Sequence, residues 1–478
     1  MANINLDFSV RDFTSNFEWL LSLLRDQVPE LTDLNHSDAG ISLIRLLCSE
    51  TDQLGFYLDE VFGEGYITSA KYKQSLVDLG HLVDCLPKLA SPARTTIRLT
   101  RYNDTYFNQQ IIHIPIYSEF TRSDGITYVC MSEYNIPVGT AHIDIPVIQG
   151  KITRIHLDPN DFIQIDNTKY NKYNLGANVA ANCVLVYETG TEFIWTEEES
   201  FWRSGPTDKH FVLHLFADNY NGVKDTVFLV LGDGINGSDC PVDGLDIVYL
   251  TTDCRTGNCG TGVISGIPNG LMGIVSCTNT VIAIGGAVTE DIEAYRKRLP
   301  RVVRTQRRGV IKTDYSALIE SIPGISSAQA ADSNDSWNWP HVYVGIYILP
   351  EGGYTLNDYI TELVYEQVTS WGHLGTWRGR YILAAANQLV KNITYTFGVA
   401  PGHNPSTVQA ALVTAITNYF APGQFAVGED FSFADFFITM NRTAGVSWID
   451  FSLPTSAHSA TPIGSVVVMG TISGTVVD

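Results

Sequence analysis

Positively charged side chains are scarce in this chain of 478 residues. Its 30 lysines and arginines stand against 51 aspartates and glutamates, for a formal net charge of -21 and a pI near 4.8. A surface this acidic repels phosphate backbones, so we expect no general nucleic-acid binding. Charged residues make up only 17% of the chain and hydrophobic residues 45%, which predicts folded domains with substantial cores rather than disorder.

The chain also lacks a long uninterrupted apolar run. Its most apolar long window, Gly270–Val288, is broken by polar residues and glycines and is a poor membrane span. The first ten residues, MANINLDFSV, show neither the positive segment nor the apolar segment of a signal peptide. We therefore expect no membrane partner and a protein that stays in the compartment where it is made.

Sequence motifs of catalysis are missing as well. The chain contains no G-x-x-x-x-G-K-S phosphate loop, no G-x-S-x-G nucleophile turn and no H-E-x-x-H zinc helix. His210 and His214 fall in a segment that predicts a strand, where they would lie about 13 Å apart. A structural role is therefore favoured over a metal site for this pair. We expect no catalytic residue and no cofactor.

Candidate metal ligands are equally sparse. Cys240, Cys254 and Cys259 are loosely spaced without a fourth zinc ligand nearby, and we expect the eight scattered cysteines to be free thiols. A hairpin turn explains Asp233, Asn236 and Asp239 better than a calcium loop, because the closing glutamate of such a loop is absent. We expect no bound metal.

The periodicity of apolar residues divides the chain into four parts. Residues 1–90 predict a helical arm, residues 91–286 a β-rich domain, residues 287–390 a first α/β module, and residues 391–478 a second α/β module with a closing strand. The fold class is therefore α+β multidomain. Residues 100–225 carry little recognisable pattern and could hold an insertion.

Apolar residues recur at helical spacing in the arm. Two amphipathic helices with so little chain around them are marginal alone, so we expect them to bundle with helices of a second copy or of another protein. A short third helix is predicted over about Ala70–Val83. The candidate contact residues of the arm are Phe13, Phe17, Leu20, Leu24, Ile44, Leu47, Leu54 and Leu58.

The segment Ala287–Asp332 predicts a helix, a basic turn, a second helix and a strand. The first helix is expected from about Thr289 to Leu299, ending at Pro300, which cannot continue it. The second is expected from about Thr313 to Ser321, and Pro323–Gly324 stops it before a strand over Ile325–Ala331.

A rough internal repeat occupies the C-terminal third. Asp314–Gln329 and Phe433–Phe451 each predict a helix, a glycine stop and a strand. Each is accompanied by another strand–helix pair, which predicts two small modules with a sheet on one side and helices on the other. The tail Ser465–Val477 is expected to be a closing strand or a strand swapped with a partner.

Residues 296–312 carry eight of the 30 basic residues. One interpretation is a solvated helix–turn–helix face whose arginines partly pair with Glu290 and Glu293. The favoured interpretation is a docking patch for an acidic neighbour, such as another copy of the chain. The candidate contact residues here are Arg301, Arg304, Arg307 and Arg308.

The order of these features resembles that of the baseplate J-like family, the wedge proteins of contractile phage tails and related injection machines. The matching features of the basic segment are Gly285–Ala287, Arg298–Pro300, Arg304-Thr305, Arg308–Val310, Asp314-Tyr315 and the Pro-Gly-Ile that follows. The arm resembles the family in its Pro-Glu-Leu-Thr-Asp and Ser-Asp-Ala-Gly-Ile segments. The glycine-rich stretch Leu231–Gly262 adds a third region of similarity.

The resemblance implies a structural wedge subunit that forms a ring around the tail hub and relays the trigger for sheath contraction. It implies contacts with other copies, with other wedge and hub proteins and with a sheath-initiating protein, in a virion tail baseplate assembled in the host cytoplasm. Two other classes stay open. A glycan-binding or glycan-hydrolysing tail protein would need a concave acidic or aromatic groove, and a tail fibre would need trimeric repeats.

Overall fold

The computed structural model describes residues 12–28, 38–163, 170–191, 193–218, 222–268, 270–306, 308–335, 343–370, 380–454 and 458–476. Helices and strands fall into the order expected from the sequence: helices first, then strands, then alternating helices and strands. The fold is therefore α+β multidomain, as predicted. In the described residues no helix is both long enough and apolar enough to cross a membrane.

The helices are α1 (Phe13–Gln27), α2 (Ala39–Glu64), α3 (Lys73–His81), α4 (Thr105–Asn108), α5 (Ile292–Thr305), α6 (Lys312–Ile319), α7 (Asp358–Ser370), α8 (Pro405–Tyr419) and α9 (Phe433–Asn441). The strands up to the middle of the chain are β1 (Arg94–Arg101), β2 (Ile112–Ile114), β3 (Glu119–Arg122), β4 (Thr127–Val129), β5 (Tyr134–Ile136), β6 (His142–Gln149), β7 (Lys151–Leu157), β8 (Lys172–Ala177), β9 (Val179–Glu188), β10 (Thr196–Glu197), β11 (His210–Phe216) and β12 (Thr226–Leu231). The remaining strands are β13 (Leu245–Thr251), β14 (Ile264–Gly266), β15 (Ile274–Asn279), β16 (Ile325–Ala331), β17 (Val344–Pro350), β18 (Tyr381–Ala385), β19 (Asn387–Val399), β20 (Phe431–Ser432), β21 (Val446–Leu453), β22 (His458–Ser459) and β23 (Ser465–Val476).

The β-rich region contains two packed units. A six-stranded sheet in the order β14-β3-β4-β6-β1-β15 takes its strands from both ends of the region. Between β6 and β14 the chain forms a sandwich, in which the sheet β10-β11-β12-β8 faces the sheet β7-β13-β9 across one apolar core. The segment with little recognisable pattern therefore overlaps a sandwich inserted into the six-stranded sheet.

The two C-terminal modules use the same pairing scheme in a different chain order. In the first, the central strand β17 pairs antiparallel with β16 and parallel with β18. In the second, the central strand β19 pairs antiparallel with β21 and parallel with β23. The helices α6 and α9 both end before a glycine at φ 86°, Gly324 and Gly445, a conformation that favours glycine. The internal repeat is confirmed, and β23 is a closing strand within its own chain.

The predicted end of the first helix of the basic segment is wrong. Helix α5 continues through Pro300 to Thr305. Proline removes one backbone donor, but its ring lies on the exposed side of α5. On the opposite side Tyr295, Leu299 and Val302 are buried together with Leu76 and Val77 of α3, and this packing holds the helix together across the proline.

The contact between α3 and α5 is close. Gly80 of α3 lies against Tyr295, and a Cβ at this position would fall 1.8 Å from the tyrosine hydroxyl oxygen. That hydroxyl donates a hydrogen bond to the carbonyl of Cys85. The short third helix therefore forms one packed unit with α5, whereas α1 and α2 pack against each other.

Candidate interaction surface

The sequence places a capping residue at the start of α2. The Asp38 carboxylate accepts hydrogen bonds from the backbone N–H groups of Gly40, at 2.8 Å, and Ile41, at 3.3 Å. Midway along α2, the Asp52 carboxylate accepts a hydrogen bond from the N–H of Phe13 at 3.0 Å, and so satisfies the first backbone donor of α1. The two helices are thereby held as a hairpin.

The predicted contact residues of α1 lie partly inside this hairpin. Phe13, Phe17, Leu20 and Leu24 are half-buried, and the rings of Phe13 and Phe17 stack with their centroids 6.0 Å apart. Ile44 of α2 is half-buried as well. These five side chains already contact protein within the chain, so they offer only part of their surface to a partner.

The predicted contact residues further along α2 are exposed. Leu47, Leu54 and Leu58 expose 61%, 60% and 53% of their surface. The candidate contact residues left out six further exposed apolar residues of α2: Leu43, Leu46, Phe56, Tyr57, Val61 and Phe62. The sequence signal that could have revealed these residues is that α2 is apolar on more than one face. A helix with that composition is normally buried on all sides.

Burial along α2 shows that the described residues leave this surface largely uncovered. Of its described residues only Ile41 and Cys48 are buried. Single exposed apolar residues are ordinary on a protein surface, but a contiguous apolar surface along a 26-residue helix marks an interaction site. The α1–α2 hairpin, hereafter the arm hairpin, therefore presents an apolar surface suited to other helices.

The basic segment divides into paired and unpaired cations. Arg298 forms a buried ion pair with Glu290, Arg301 pairs with Glu320 at 2.7 Å, and Lys312 lies 2.5 Å from Asp335. Arg296 donates to the carbonyls of Ile67 and Ala70 and contacts Glu293. The pairing of arginines with Glu290 and Glu293 is thus confirmed.

The cations that remain available are fewer than the sequence suggested. Lys297, Arg304 and Arg308 are exposed and form no ion pair with the described residues. Arg307 lies outside the described residues. Arg304 and Arg308 can therefore meet an acidic neighbour without breaking an ion pair to another described residue.

The edge strands of the C-terminal modules have backbone groups that another chain can pair with. Along β16 the N–H groups of Ala328 and Ala330 donate to Glu320, at 3.2 Å, and to Ser316, at 2.9 Å, so α6 covers that edge. The edge strand β21 is more exposed and carries Trp448 and Leu453 at its surface. Of these two edges, β21 is the one suited to a partner.

Candidate metal ligands do not converge in the part of the chain that is described, where no three His, Cys, Asp or Glu side chains form a group suited to a metal ion. All eight cysteines are described and none forms a disulfide. His210 lies 2.8 Å from the Ser204 hydroxyl, and the ring of His214 contacts the ring of His81 instead. The carboxylate of Asp233 accepts two backbone N–H bonds in a turn.

One carboxyl group is perturbed in a way that catalytic acids often are. The pKa of Glu197 is raised to about 7, first because surrounding protein disfavours the charged form and second because Glu199 repels it. Its side chain nevertheless reaches solvent, in a groove that Glu198 and Glu199 also line. Burial of the carboxyl group and repulsion by Glu199 together account for this shift without a catalytic role.

Comparison with known proteins singles out the same N-terminal segment. Residues 12–82 match the family described as bacteriophage baseplate protein, N-terminal domain. This match includes the whole arm hairpin and α3, and it supports a structural protein of a baseplate. No curated protein matches the chain.

A solved structure described as the cryo-EM structure of the anti-feeding prophage (AFP) baseplate, 6-fold symmetrised, contains a similar chain. The similarity covers 94% of this chain and 90% of that one, at 12% sequence identity and a TM-score of 0.34. We draw no conclusion about function from a TM-score this low.

Proposed function

We propose that this protein is a structural wedge subunit in the baseplate of a contractile injection system, of the baseplate J-like type. The observation that carries the proposal is the exposed apolar surface of α2, which lies inside the segment that matches baseplate proteins. The arm hairpin docks on helices of another baseplate protein, a second copy of this chain included. Burial of this surface supplies the free energy of association.

The wider role follows from such docking. Many interfaces of moderate size can hold a ring around the tail hub in one state until receptor binding favours another, and the contraction of the sheath then follows. The edge strand β21 and the exposed arginines Arg304 and Arg308 are the candidate contacts between copies of the C-terminal modules. Hub proteins and a sheath-initiating protein are the other partners that this role requires.

The test replaces apolar residues of the arm hairpin in cells that assemble the complete particle. The variant Leu47→Glu/Leu54→Glu places two charges on the exposed face of α2, where the monomer buries little. We expect a folded monomer that is absent from purified particles. Immunoblots of the particles and circular dichroism of the monomer provide the two measurements.

The matched control is Val242→Glu/Met272→Glu. These residues expose 91% and 78% of their surface and lie in the β-rich region, so the chemical change is the same at a different place. Normal incorporation of this control, with loss of the arm variant, supports the proposal. Equal incorporation of both variants would show that the arm hairpin does not carry assembly.

A further inference from the structure

A cavity of about 470 Å³ lies between the end of α3 and the outer face of the sheet β10-β11-β12-β8. The sheet supplies its floor, and His81, the last residue of α3, supplies part of its wall. None of the proposed assembly contacts lies in it. Its volume is within the range of small-molecule sites, which are roughly 300–1,000 Å³.

The floor carries a buried positive charge. Lys172 of β8 pairs with Val230 of β12, and Val230 pairs with Val212 of β11, so these three side chains lie on one face of the sheet. Lys172 exposes only 7% of its surface, and its ammonium group forms no ion pair or hydrogen bond with the described residues. Lys172 lines the cavity, where a bound anion would supply the counter-charge that the described residues do not.

Two imidazole rings lie beside this lysine. His214, two residues after Val212 on the same face of β11, contacts His81 edge to face, with ring centroids 4.4 Å apart. The Nε2 atom of each ring is buried without a hydrogen-bond partner. Burial, the other histidine and then Lys172 lower the pKa of His214 to about 3, so its ring is neutral near pH 7 and adds no positive charge beside Lys172.

The outer part of the cavity is aromatic. The rings of Tyr170 and Phe201 stack with their centroids 5.3 Å apart, and Trp202 exposes 75% of its surface at the rim. The indole N–H of Trp202 donates to the Asp84 carboxylate at 3.2 Å, which holds the ring in place. Asp84 and Glu199 also line the cavity and can accept hydrogen bonds from hydroxyl or amino groups of a ligand.

We propose that this cavity binds a small molecule in which a carboxylate or phosphate is joined to a ring. The oxyanion lies at Lys172 and the two histidines, and the ring lies against Trp202 and the Tyr170–Phe201 stack. Acidic sugars and nucleotides share this chemistry. The cationic floor and the aromatic rim fix the orientation of such a ligand, because the acidic groups at the rim repel its charged end.

Isothermal titration calorimetry on the full chain tests the proposal with three probes: glucose 6-phosphate, glucuronate and adenosine monophosphate. Glucose, adenosine and inorganic phosphate are the matched compounds that lack either the charge or the ring. We expect at least one of the three probes to bind more tightly than its matched compounds. Tighter binding of the sugar probes indicates an acidic sugar as the ligand, and tighter binding of adenosine monophosphate indicates a nucleotide.

Two variants assign the binding to this cavity. Lys172→Met should weaken the binding of the probe about tenfold or more, and Trp202→Ala should weaken it while leaving inorganic phosphate unaffected. Lys151→Met, at an exposed lysine of β7, is the control and should bind as the unchanged protein does. If Lys172→Met does not fold, the rim variant decides, since Trp202 is mostly exposed.

The proposal is overturned if no probe binds at concentrations up to roughly 10 mM. Binding that a folded Lys172→Met variant retains in full, or that Trp202→Ala leaves unchanged, overturns it as well. Equal affinity of each of the three probes and its matched compounds would do the same. The assembly role is independent of these results.

Discussion

Arg298 and Glu290 form a bidentate ion pair in the interior of the protein. The Nε atom of Arg298 lies 2.8 Å from Oε1 of Glu290, and its Nη2 atom lies 2.6 Å from Oε2. Arg298 also donates to the carbonyl of Leu86, and Glu290 accepts from the N–H of Lys88 at 3.0 Å. The pair therefore fastens the segment after α3 to the start of α5.

Replacing Arg298 by Met should destabilise the protein by about 3–5 kcal/mol, because Glu290 is left buried without a counter-charge. Urea unfolding measures this loss. The matched control is Arg98→Met, since Arg98 and Asp144 make the same bidentate geometry, with both distances 2.7 Å, at an exposed position. We expect a much smaller loss for this control, because solvent screens the pair.

Equal losses for the two arginines would show that burial does not determine the strength of these pairs. The double variant Arg298→Met/Glu290→Met adds a second comparison, since it removes both charges at once. It should be more stable than the single Arg298 variant, because no buried carboxylate is left without its arginine partner.

Local sequence patterns predicted the helices and strands of this fold better than they predicted where each one ends and what it packs against. The glycine stop before β16 was visible because Pro323–Gly324 interrupts an apolar period, and the structure confirms it. The passage of α5 through Pro300 was not visible, since it depends on Leu76 and Val77, more than 200 residues earlier in the chain. Long-range packing of this kind leaves no local signal.

Prediction of the candidate interaction surface from local sequence had the same limit. Helical periodicity identified Leu47, Leu54 and Leu58, and these are exposed as an interface requires. The pairing of Arg301 with Glu320 was not predictable, because it depends on how α5 and α6 meet. Sequence therefore indicated which segments hold candidate contact residues but not which of those residues already pair within the chain.

Truncation should separate the arm hairpin from α3. Deleting residues 1–65 removes α1 and α2 and should leave a folded, soluble remainder that no longer enters particles. Deleting residues 1–85 also removes Leu76, Val77 and Cys85 from the core around Tyr295, so this longer truncation should have a lower melting temperature. Differential scanning calorimetry checks the order of the two melting temperatures. Incorporation of the shorter truncation into particles would contradict the proposed role of the arm hairpin.

The contact between His81 and His214 should make stability depend on pH. Burial lowers the pKa of both rings in the folded protein, so between about pH 6.5 and 3 the unfolded chain binds more protons. Stability is therefore lost as the pH falls through this window, by on the order of 1 kcal/mol per pH unit for His214. Asp78, Asp84 and Lys172 also act on this pair.

The variant His214→Phe keeps an aromatic ring at the contact and removes the titrating group. Urea unfolding at several pH values should show a smaller loss of stability for this variant between pH 6.5 and 5, while the other titrating groups cancel in the comparison. Identical pH profiles would mean that protonation of His214 is not linked to folding.

We expect no hydrolysis of peptidoglycan or host polysaccharide by the purified protein. The raised pKa of Glu197 makes this residue the sharpest control, because a carboxyl group with a pKa of about 7 can act as a general acid. Assays of reducing-sugar release should give the same background for the unchanged protein and for Glu197→Gln. Reproducible sugar release that Glu197→Gln abolishes would establish an enzyme instead.

The exposed arginines of the basic segment, Arg304 and Arg308, should contribute to contacts between copies. Arg304→Glu/Arg308→Glu reverses two exposed charges without breaking the internal pairs of Arg298 and Arg301, so the monomer should stay folded. We expect weaker assembly into particles at low salt and a smaller difference at high salt, because ions screen charges at the rim of an interface.

The control Lys151→Glu/Lys224→Glu changes the net charge equally at exposed sites of the β-rich region and should assemble normally. Normal assembly of the arginine variant at low salt would show that Arg304 and Arg308 belong to a solvated face, and contacts between copies would then have to lie elsewhere, with the edge strand β21 as the next candidate.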